Sequence, residues 1–253
     1  MNYEIERGDN FVLIKGDFFE IMDELRDNLR GKVGAVITDP PYGRAQYSNK
    51  FNKYLIPLSD DKRRKFVEFV SDVLMSRSYA FVCTNCFEYA KYVIDFERRG
   101  FELYGDVVIV YGQGAPKKYR LRDSHEHLLI FTRDIRKDVD INSFKNVYHT
   151  IRARGINRCH PVEFKNAPYE KIGVTVKPLM LLRKIVRTFT RQNELIVDMF
   201  AGSASIGESA LLEGRRYLGV EIRDYVFEFA LERLRKVERD IKEQRVIFYN
   251  YKK

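Results

Sequence analysis

An apolar run that ends in two consecutive prolines constrains the fold of this chain more than any other feature. Val33–Thr38 reads Val-Gly-Ala-Val-Ile-Thr and continues directly into Asp39-Pro40-Pro41-Tyr42. A short, continuous apolar run bounded by a turn predicts a strand buried on both faces, as in parallel sheets. The prolines fix two successive φ angles and disfavour the α region for the residue before each, so a rigid, extended turn must follow the strand.

Further apolar runs predict five more strands, at residues 78–83, 107–111, 128–131, 195–199 and 217–221. Helical patterns lie between them at residues 61–77, 179–190, 206–213 and 224–237. Strands that alternate with helices of this length predict an α/β, doubly wound sheet. Residues 134–171 break the alternation, because they are basic and irregular, and we interpret them as an inserted recognition segment. A second irregular piece, residues 44–59, is a candidate substrate-facing loop.

Charge and cysteine content narrow the class of protein. The formal net charge is +9, and residues 111–171 contain 13 basic and 7 acidic side chains. Such a surface favours polyanions, among which nucleic acid is the commonest. Three cysteines do not resemble a disulfide framework, so a reducing cytosol is the expected compartment. We find neither a signal-peptide layout nor an apolar run long enough to span a membrane, and expect no membrane partner.

A second loop has the composition of a nucleotide-binding turn. Residues 197–207 read Val-Asp-Met-Phe-Ala-Gly-Ser-Ala-Ser-Ile-Gly, and they leave a predicted strand and enter a predicted helix. Small residues allow the backbone to approach a ligand, and a helix N-terminus offers unpaired N–H groups. The next strand ends at Glu221, whose carboxylate can accept hydrogen bonds from the two hydroxyls of a ribose. The alternative is an ordinary tight connection with a surface glutamate.

The Asp-Pro-Pro-Tyr turn offers groups that suit a planar base with an exocyclic amine. Asp39 and the carbonyl of Pro40 can accept the two amino hydrogens, while Tyr42 stacks on the ring. Two acceptors favour a pyramidal nitrogen, whose lone pair is then available to attack a sulfonium methyl group. Most of the rate gain would come from positioning and fixed electrostatics. A simple strand-terminating turn is the alternative.

Together these motifs resemble the amino-methyltransferases of DNA, in the permuted arrangement in which the catalytic turn precedes the cofactor loop. Further matching segments are Gly16-Asp17, residues 124–131 (Ser-His-Glu-His-Leu-Leu-Ile-Phe), residues 177–182 (Lys-Pro-Leu-Met-Leu-Leu) and residues 214–221 (Gly-Arg-Arg-Tyr-Leu-Gly-Val-Glu). The resemblance implies a Rossmann-like fold for an S-adenosylmethionine-dependent methyltransferase, with a mostly parallel seven-stranded sheet in which one strand is reversed. It implies one methyltransferase domain in three parts: a catalytic part (1–133), a target-recognition segment (134–171) and a cofactor-binding part (172–253).

The resemblance also implies roles for individual residues. The catalytic residues are expected to be Asp39, Pro40, Pro41 and Tyr42. S-adenosylmethionine is expected to contact Asp17, Phe18, Asp39, Lys177, Pro178, Asp198, Phe200, Ala201, Gly202, Ser203 and Glu221. Because the target base is paired inside duplex DNA, it must be flipped out before reaction. Contacts to that DNA are expected from Arg44, Lys117, Lys118, Arg152, Arg154 and Arg158, for each of which a solvated side chain is the alternative.

One departure from the family concerns the cofactor loop. The family usually has Gly-Ser-Gly-Thr where this chain has Gly202-Ser203-Ala204-Ser205, so the second glycine is missing and the affinity for the cofactor is expected to be lower. A homodimer is a family expectation. Two alternatives remain for its biological setting: an enzyme that accompanies a cognate restriction endonuclease, and a solitary enzyme.

Several alternatives remain for the chemistry. In the family, an aspartate at the head of the turn favours adenine N6 and a serine favours cytosine N4, so Asp39 favours adenine and leaves cytosine as the alternative. RNA or protein-glutamine methylation and a non-catalytic nucleic-acid-binding module rank lower. The Cys83-x-x-Cys86 pair with Cys159-His160 is weak support for zinc, and no metal is expected. No cysteine follows a proline, which disfavours the covalent chemistry of cytosine ring-carbon methylation.

Overall fold

The computed structural model describes residues 3–42, 57–110, 125–135, 139 and 176–244. Within these ranges the chain forms eight strands and six helices. In chain order they are β1 (Glu4–Arg7), β2 (Phe11–Lys15), α1 (Phe18–Leu29), β3 (Val33–Thr38), α2 (Asp60–Val73), β4 (Leu74–Thr84), α3 (Tyr89–Glu97), β5 (Glu102–Val110), β6 (His125–Thr132), α4 (Leu179–Phe189), β7 (Leu195–Asp198), α5 (Ser205–Leu212), β8 (Arg216–Glu221) and α6 (Asp224–Lys242).

All eight strands belong to one sheet, in the order β1-β2-β8-β7-β3-β4-β6-β5. Strands β2, β8, β7, β3 and β4 pair in parallel, whereas β1 and β6 run antiparallel to their neighbours. The mostly parallel α/β sheet is therefore confirmed. The predicted count of seven strands with one reversed is wrong for the described residues, because β1 adds an eighth, reversed strand at the edge.

Helices cover both faces of the sheet. Phe18 of α1, Phe66 of α2 and Tyr92 of α3 belong to one buried apolar cluster, and Leu182 of α4, Ile206 of α5 and Phe227 of α6 belong to the other. Strand β3 lies between these layers, and all six of its residues are buried. The continuous apolar run that predicted this strand is thus explained by burial on both of its faces.

Several predicted boundaries were wrong, and strand pairing explains two of them. The helix predicted at residues 61–77 ends at Val73, because Leu74 already pairs with Val33 as the start of β4. Strand β5 begins at Glu102, five residues before the predicted start, and pairs with β6 from there. In both places long-range strand pairing overrides a local pattern.

The order of the sheet defines where a site can form. Strands β3 and β7 are neighbours, and the chain leaves them in opposite directions, from β3 through α2 to β4 and from β7 through α5 to β8. Open α/β sheets bind their ligands outside the carboxyl ends of the strands at such a switch point. Both predicted motifs lie there, since Asp39 follows β3 and Met199 follows β7.

Candidate active site

The Asp-Pro-Pro-Tyr turn leaves the sheet directly after Thr38. Pro40 is buried, whereas Asp39, Pro41 and Tyr42 are partly buried. The Asp39 side chain is 24% exposed, yet its Oδ1 atom is enclosed and has no hydrogen-bond partner among the described residues. A buried acceptor without a donor is costly, and such atoms in folded proteins point to a function or a ligand. Asp39 is therefore available to a hydrogen-bond donor.

Lys177 reaches this turn from the segment before α4. Its Nζ atom lies 3.0 Å from Oδ2 of Asp39, 2.7 Å from Oε2 of Glu126 and 2.7 Å from the hydroxyl of Tyr42. Burial acts to lower the pKa of Lys177, but the nearby Asp39, Tyr42 and Glu126 outweigh it and raise that pKa well above its ordinary value. The lysine is consequently a fixed positive charge at the turn.

Opposing influences act on the carboxyl of Asp39. Burial raises its pKa above the ordinary value, Lys177 acts to lower it, and the negative charge of Glu126 acts to raise it again. The pKa of the neighbouring Tyr42 is also raised, well above its ordinary value, by burial first and then by the charge of Asp39. Tyr42 is thus a neutral phenol whose hydroxyl is held in place by Lys177.

The cofactor-type loop runs from Met199 to the start of α5. Gly202 and Ala204 both have left-handed backbone, with φ of 52° and 55°. The amide of Ala201 donates to the carbonyl of Val220 at 2.8 Å, and the amide of Gly202 donates to Oε2 of Glu221, also at 2.8 Å. These two hydrogen bonds attach the loop to the end of β8.

Glu221 is almost completely buried and shares its carboxylate with Arg223. The backbone amide and Nε of Arg223 donate to Oε1 at 3.0 Å and 2.8 Å, and its Nη2 donates to Oε2 at 3.3 Å. The Nη1 atom of Arg223 is buried without a partner among the described residues. A ribose hydroxyl that approaches Glu221 would compete first with the longest of these hydrogen bonds.

Asp198 lies beneath the loop and is fully buried. Its Oδ1 accepts hydrogen bonds from Oγ1 of Thr38 at 2.7 Å and from the amide of Phe200 at 3.1 Å. The hydroxyl of Tyr217 lies 3.4 Å from Oδ2. Burial raises the pKa of Asp198 to about 7. In this position Asp198 orients the loop.

The other predicted cofactor residues lie at the same edge of the sheet. Gly16, directly before Asp17, donates its amide to the backbone carbonyl of Glu221 at 3.0 Å. The Asp17 carboxylate caps helix α1 by accepting from the amide of Phe19 at 2.9 Å.

Aromatic rings and helix α6 contact the loop. The buried ring of Phe18 lies 6.0 Å from that of Phe200. Ser203 is buried and its hydroxyl accepts from Nη1 of Arg233 at 3.4 Å. Pro178 occupies the position before α4, and its carbonyl accepts from the amide of Leu182.

Three residues of the site were missed by sequence reasoning. Thr38 had a signal, since it is polar in an otherwise apolar strand, whereas nothing local singled out Arg223. Glu126 lies in a matched segment, but its place between two histidines of a strand does not distinguish it from an ordinary strand residue. The predicted DNA contacts Arg44, Lys117, Lys118, Arg152, Arg154 and Arg158 lie outside the described residues. The same holds for most of the recognition segment, most of the candidate loop at residues 44–59 and the Cys159-His160 pair.

Three further observations on the described residues concern metal binding, membrane spans and the reactivity of a thiol. It contains no group of three or more His, Cys, Asp or Glu side chains arranged to hold a metal ion. None of the helices seen in these ranges has the length and apolarity to cross a membrane. Burial, followed by the charge of Asp39, raises the pKa of the Cys83 thiol well above its ordinary value, so this thiol is a poor nucleophile.

Comparison with known proteins gives a consistent result. A family model described as DNA methylase matches residues 33–232. The chain is 26% identical over 234 residues to the putative methylase YubD of Escherichia coli (strain K12). This alignment covers 89% of this chain and 91% of YubD. It is 24% identical over 239 residues to the type II methyltransferase M.HpaI of Haemophilus parainfluenzae, covering 88% and 73% of the two chains.

Two solved structures show the same fold. The cytosine-N4-specific PvuII DNA methyltransferase superimposes with a TM-score of 0.66 at 17% identity, over 93% of each chain. The M1.HpyAVI–SAM complex superimposes with a TM-score of 0.59 at 19% identity, over 88% of this chain and 98% of that one. The expected Rossmann-like methyltransferase fold is confirmed.

Proposed function

Because this chain belongs to the family of N6 and N4 DNA methylases, we propose that it transfers a methyl group from S-adenosylmethionine to N6 of an adenine flipped out of duplex DNA. The observation that carries the proposal is Oδ1 of Asp39, which lies at the switch point of the sheet without a hydrogen-bond partner among the described residues, beside a loop that Glu221 attaches to the end of β8. An acceptor and a nucleoside-type site at one edge are what an amine methylase needs.

The cofactor would be held by the loop and the tips of β2 and β8. Backbone with positive φ at Gly202 and Ala204 lets the main chain approach a ligand closely, and the Glu221 carboxylate suits ribose hydroxyls. Lys177 contacts the Asp-Pro-Pro-Tyr turn. It would therefore act on the cofactor indirectly, through its ion pair with Asp39. Bound S-adenosylmethionine supplies an electrophilic methyl group on a sulfonium. This chain's part is to bind, orient and exclude water.

The catalytic turn would orient the target amine. Oδ1 of Asp39 and the carbonyl of Pro40 accept the two amino hydrogens, which directs the nitrogen lone pair away from the ring. Pro40 and Pro41 restrict the backbone, and the ring of Tyr42 provides a surface for stacking while Lys177 holds its hydroxyl. Fixed acceptors of this kind need no reorganisation during the reaction.

Adenine is preferred because Asp39 heads the turn, as in the N6-adenine members that the chain resembles. Cytosine N4 is the second candidate, favoured by the superposition on the cytosine-N4-specific PvuII enzyme. The similarity to the type II methyltransferase M.HpaI supports a role in restriction–modification, with a cognate endonuclease as partner.

The test is a methylation assay with labelled S-adenosylmethionine and mixed-sequence duplex DNA, followed by digestion and mass spectrometry of the nucleosides. We expect N6-methyladenine with the wild type, and formation slower by about 100-fold or more with Asp39→Asn. Detection of N4-methylcytosine would support the same mechanism, with cytosine as the target base. Absence of methylated DNA from a protein that binds the cofactor would refute the proposal.

Binding to DNA phosphates is proposed for Arg152, Arg154 and Arg158, with Arg44, Lys117 and Lys118 as further candidates. Replacing the first three by alanine should flatten the salt dependence of binding, by a slope of about 0.9 for each phosphate that is no longer neutralised. An unchanged slope would remove these arginines from the interface.

A further inference from the structure

Lys177 uses its three ammonium hydrogens on three groups of the site. The acceptors are Oδ2 of Asp39 at 3.0 Å, Oε2 of Glu126 at 2.7 Å and the hydroxyl of Tyr42 at 2.7 Å. These groups come from the catalytic turn and from β6, while Lys177 precedes α4. A lysine with all three donors engaged has little rotational freedom.

The lysine makes the two oxygens of Asp39 unequal. Oδ2 accepts from Lys177, whereas Oδ1 is enclosed and lacks a partner within the described ranges. The ion pair therefore fixes the carboxylate plane and leaves one oxygen for a donor from the substrate.

Among the described residues, the cluster carries two carboxylates, Asp39 and Glu126, against the ammonium of Lys177. Glu126 and Lys177 have opposite effects on the pKa of Asp39. Lys177 acts to lower the pKa of Asp39, while Glu126 acts to raise it. Other titratable groups nearby are Tyr42, Cys83, Tyr92 and Asp198. Burial raises the pKa of each of these four groups, so the phenols and the thiol stay neutral at ordinary pH.

We propose that Lys177 and Glu126 are positioning residues for Asp39: Lys177 holds one carboxylate oxygen and keeps the group ionised, and Glu126 holds Lys177 while opposing that ionisation. The pair thereby sets the pH below which the catalytic turn loses its acceptor. This inference rests on the proposed function for its effect on turnover, but the ionisation of Asp39 can be measured separately.

The first test is the pH dependence of the single-turnover methylation rate in two variants. Lys177→Met removes the stabilising charge, so the acid limb of the profile should move to higher pH by about one pH unit or more. Glu126→Gln keeps an oxygen for Lys177 but removes the opposing charge, so the limb should move to lower pH. If the acid limb stays in place in both variants, or moves in the same direction in both, the proposal is overturned.

Controls separate positioning from folding. Lys177→Arg retains the charge and should leave the acid limb in place even if the rate falls. The surface variants Lys91→Met and Glu6→Gln remove one partner each from the exposed pairs Lys91–Glu88 and Arg235–Glu6. Neither surface variant should change the profile, and a shift in either would argue against a local effect of Lys177 and Glu126.

The second test does not need turnover. The carboxyl carbon of Asp39 can be titrated by NMR, with its signal assigned by its loss in Asp39→Asn. The same opposite displacements of the Asp39 pKa are expected in Lys177→Met and Glu126→Gln, and equal titration curves would refute the inference. A wild type that fails to methylate DNA would refute the proposed function alone.

Discussion

Thr38 donates a hydrogen bond from Oγ1 to Oδ1 of Asp198 over 2.7 Å, and so joins the strand before the Asp-Pro-Pro-Tyr turn to the strand before the loop that begins at Met199. The same oxygen of Asp198 accepts from the amide of Phe200, the second residue of the loop. The side chains of Thr38 and Asp198 are completely buried. One carboxylate therefore sets the distance between the two halves of the site.

Asp198→Asn should make the free energy of unfolding less dependent on pH. The pKa of Asp198 in the folded protein is about 7, above its ordinary value, so the folded state binds the proton more tightly than the unfolded state. That contribution is complete at pH below the ordinary value and is lost as the pH rises towards 7. Relative to the variant, the wild type should lose roughly 3 kcal/mol between about pH 5 and about pH 8, measured by urea unfolding.

Asparagine is a suitable replacement because it keeps an oxygen for Thr38 and Phe200. Thr38→Val is the companion variant, since it removes one donor and leaves the carboxyl in place; its stability should still depend on pH. Parallel stability curves for wild type and Asp198→Asn would show that the Asp198 carboxyl does not titrate in this range.

Asp39→Asn should reduce the methylation rate by about 100-fold or more, because the charged acceptor for the amine is removed. Binding of S-adenosylmethionine, followed by calorimetry, should change little. Asp9→Asn, which removes an exposed partner of Lys242, serves as a control and should leave both quantities unchanged. An equal loss of cofactor binding and of rate in Asp39→Asn would contradict the role given to Asp39.

Glu221→Gln should weaken cofactor binding by about 10-fold to 100-fold, since hydrogen bonds to a charged group contribute about 1.5–3 kcal/mol. The variant retains one oxygen for the amide of Gly202, so the loop should keep its conformation. Calorimetric titration measures the dissociation constant, and a thermal melt of the free protein checks the fold. An unchanged dissociation constant would remove Glu221 from the ribose site.

Ala204→Val should destabilise the protein by about 2–3 kcal/mol. Position 204 has φ of 55° and is fully buried, so a branched side chain meets both backbone strain and crowding. Ala204→Gly should stay within about 1 kcal/mol of the wild type, because relief of strain is offset by greater freedom of the unfolded chain. Denaturant unfolding of the two variants distinguishes these effects; equal stabilities would show that position 204 tolerates any side chain.

The sequence predicted the parts of the fold and site that short segments encode. Strand β3 is buried on both faces, so its apolar run is continuous, and the prolines after Thr38 fix the turn locally. The loop after Asp198 is similarly local, since its small residues and the helix that follows are contiguous in the chain.

Features that depend on distant partners could not be predicted. Strand β1 has a mostly exposed, charged sequence and is held by pairing with β2, so it lacks an apolar run. The hydrogen bond between Glu126 and Lys177 joins residues 51 positions apart and becomes visible only when β6 and the start of α4 are placed together. Glu126 alone looks like an ordinary strand residue.

Strand β7 lies in the middle of the sheet, between β3 and β8, although it is among the last strands in the chain. During synthesis, β3 and its six buried residues therefore lack their β7 neighbour until residue 195 and those after it leave the ribosome. Unpaired apolar edges of this kind promote aggregation. We expect fragments that end before residue 195 to sediment as aggregates, whereas fragments that include β8 remain dispersed. The motif order thus makes synthesis of about the last quarter of the polypeptide the step on which productive folding depends.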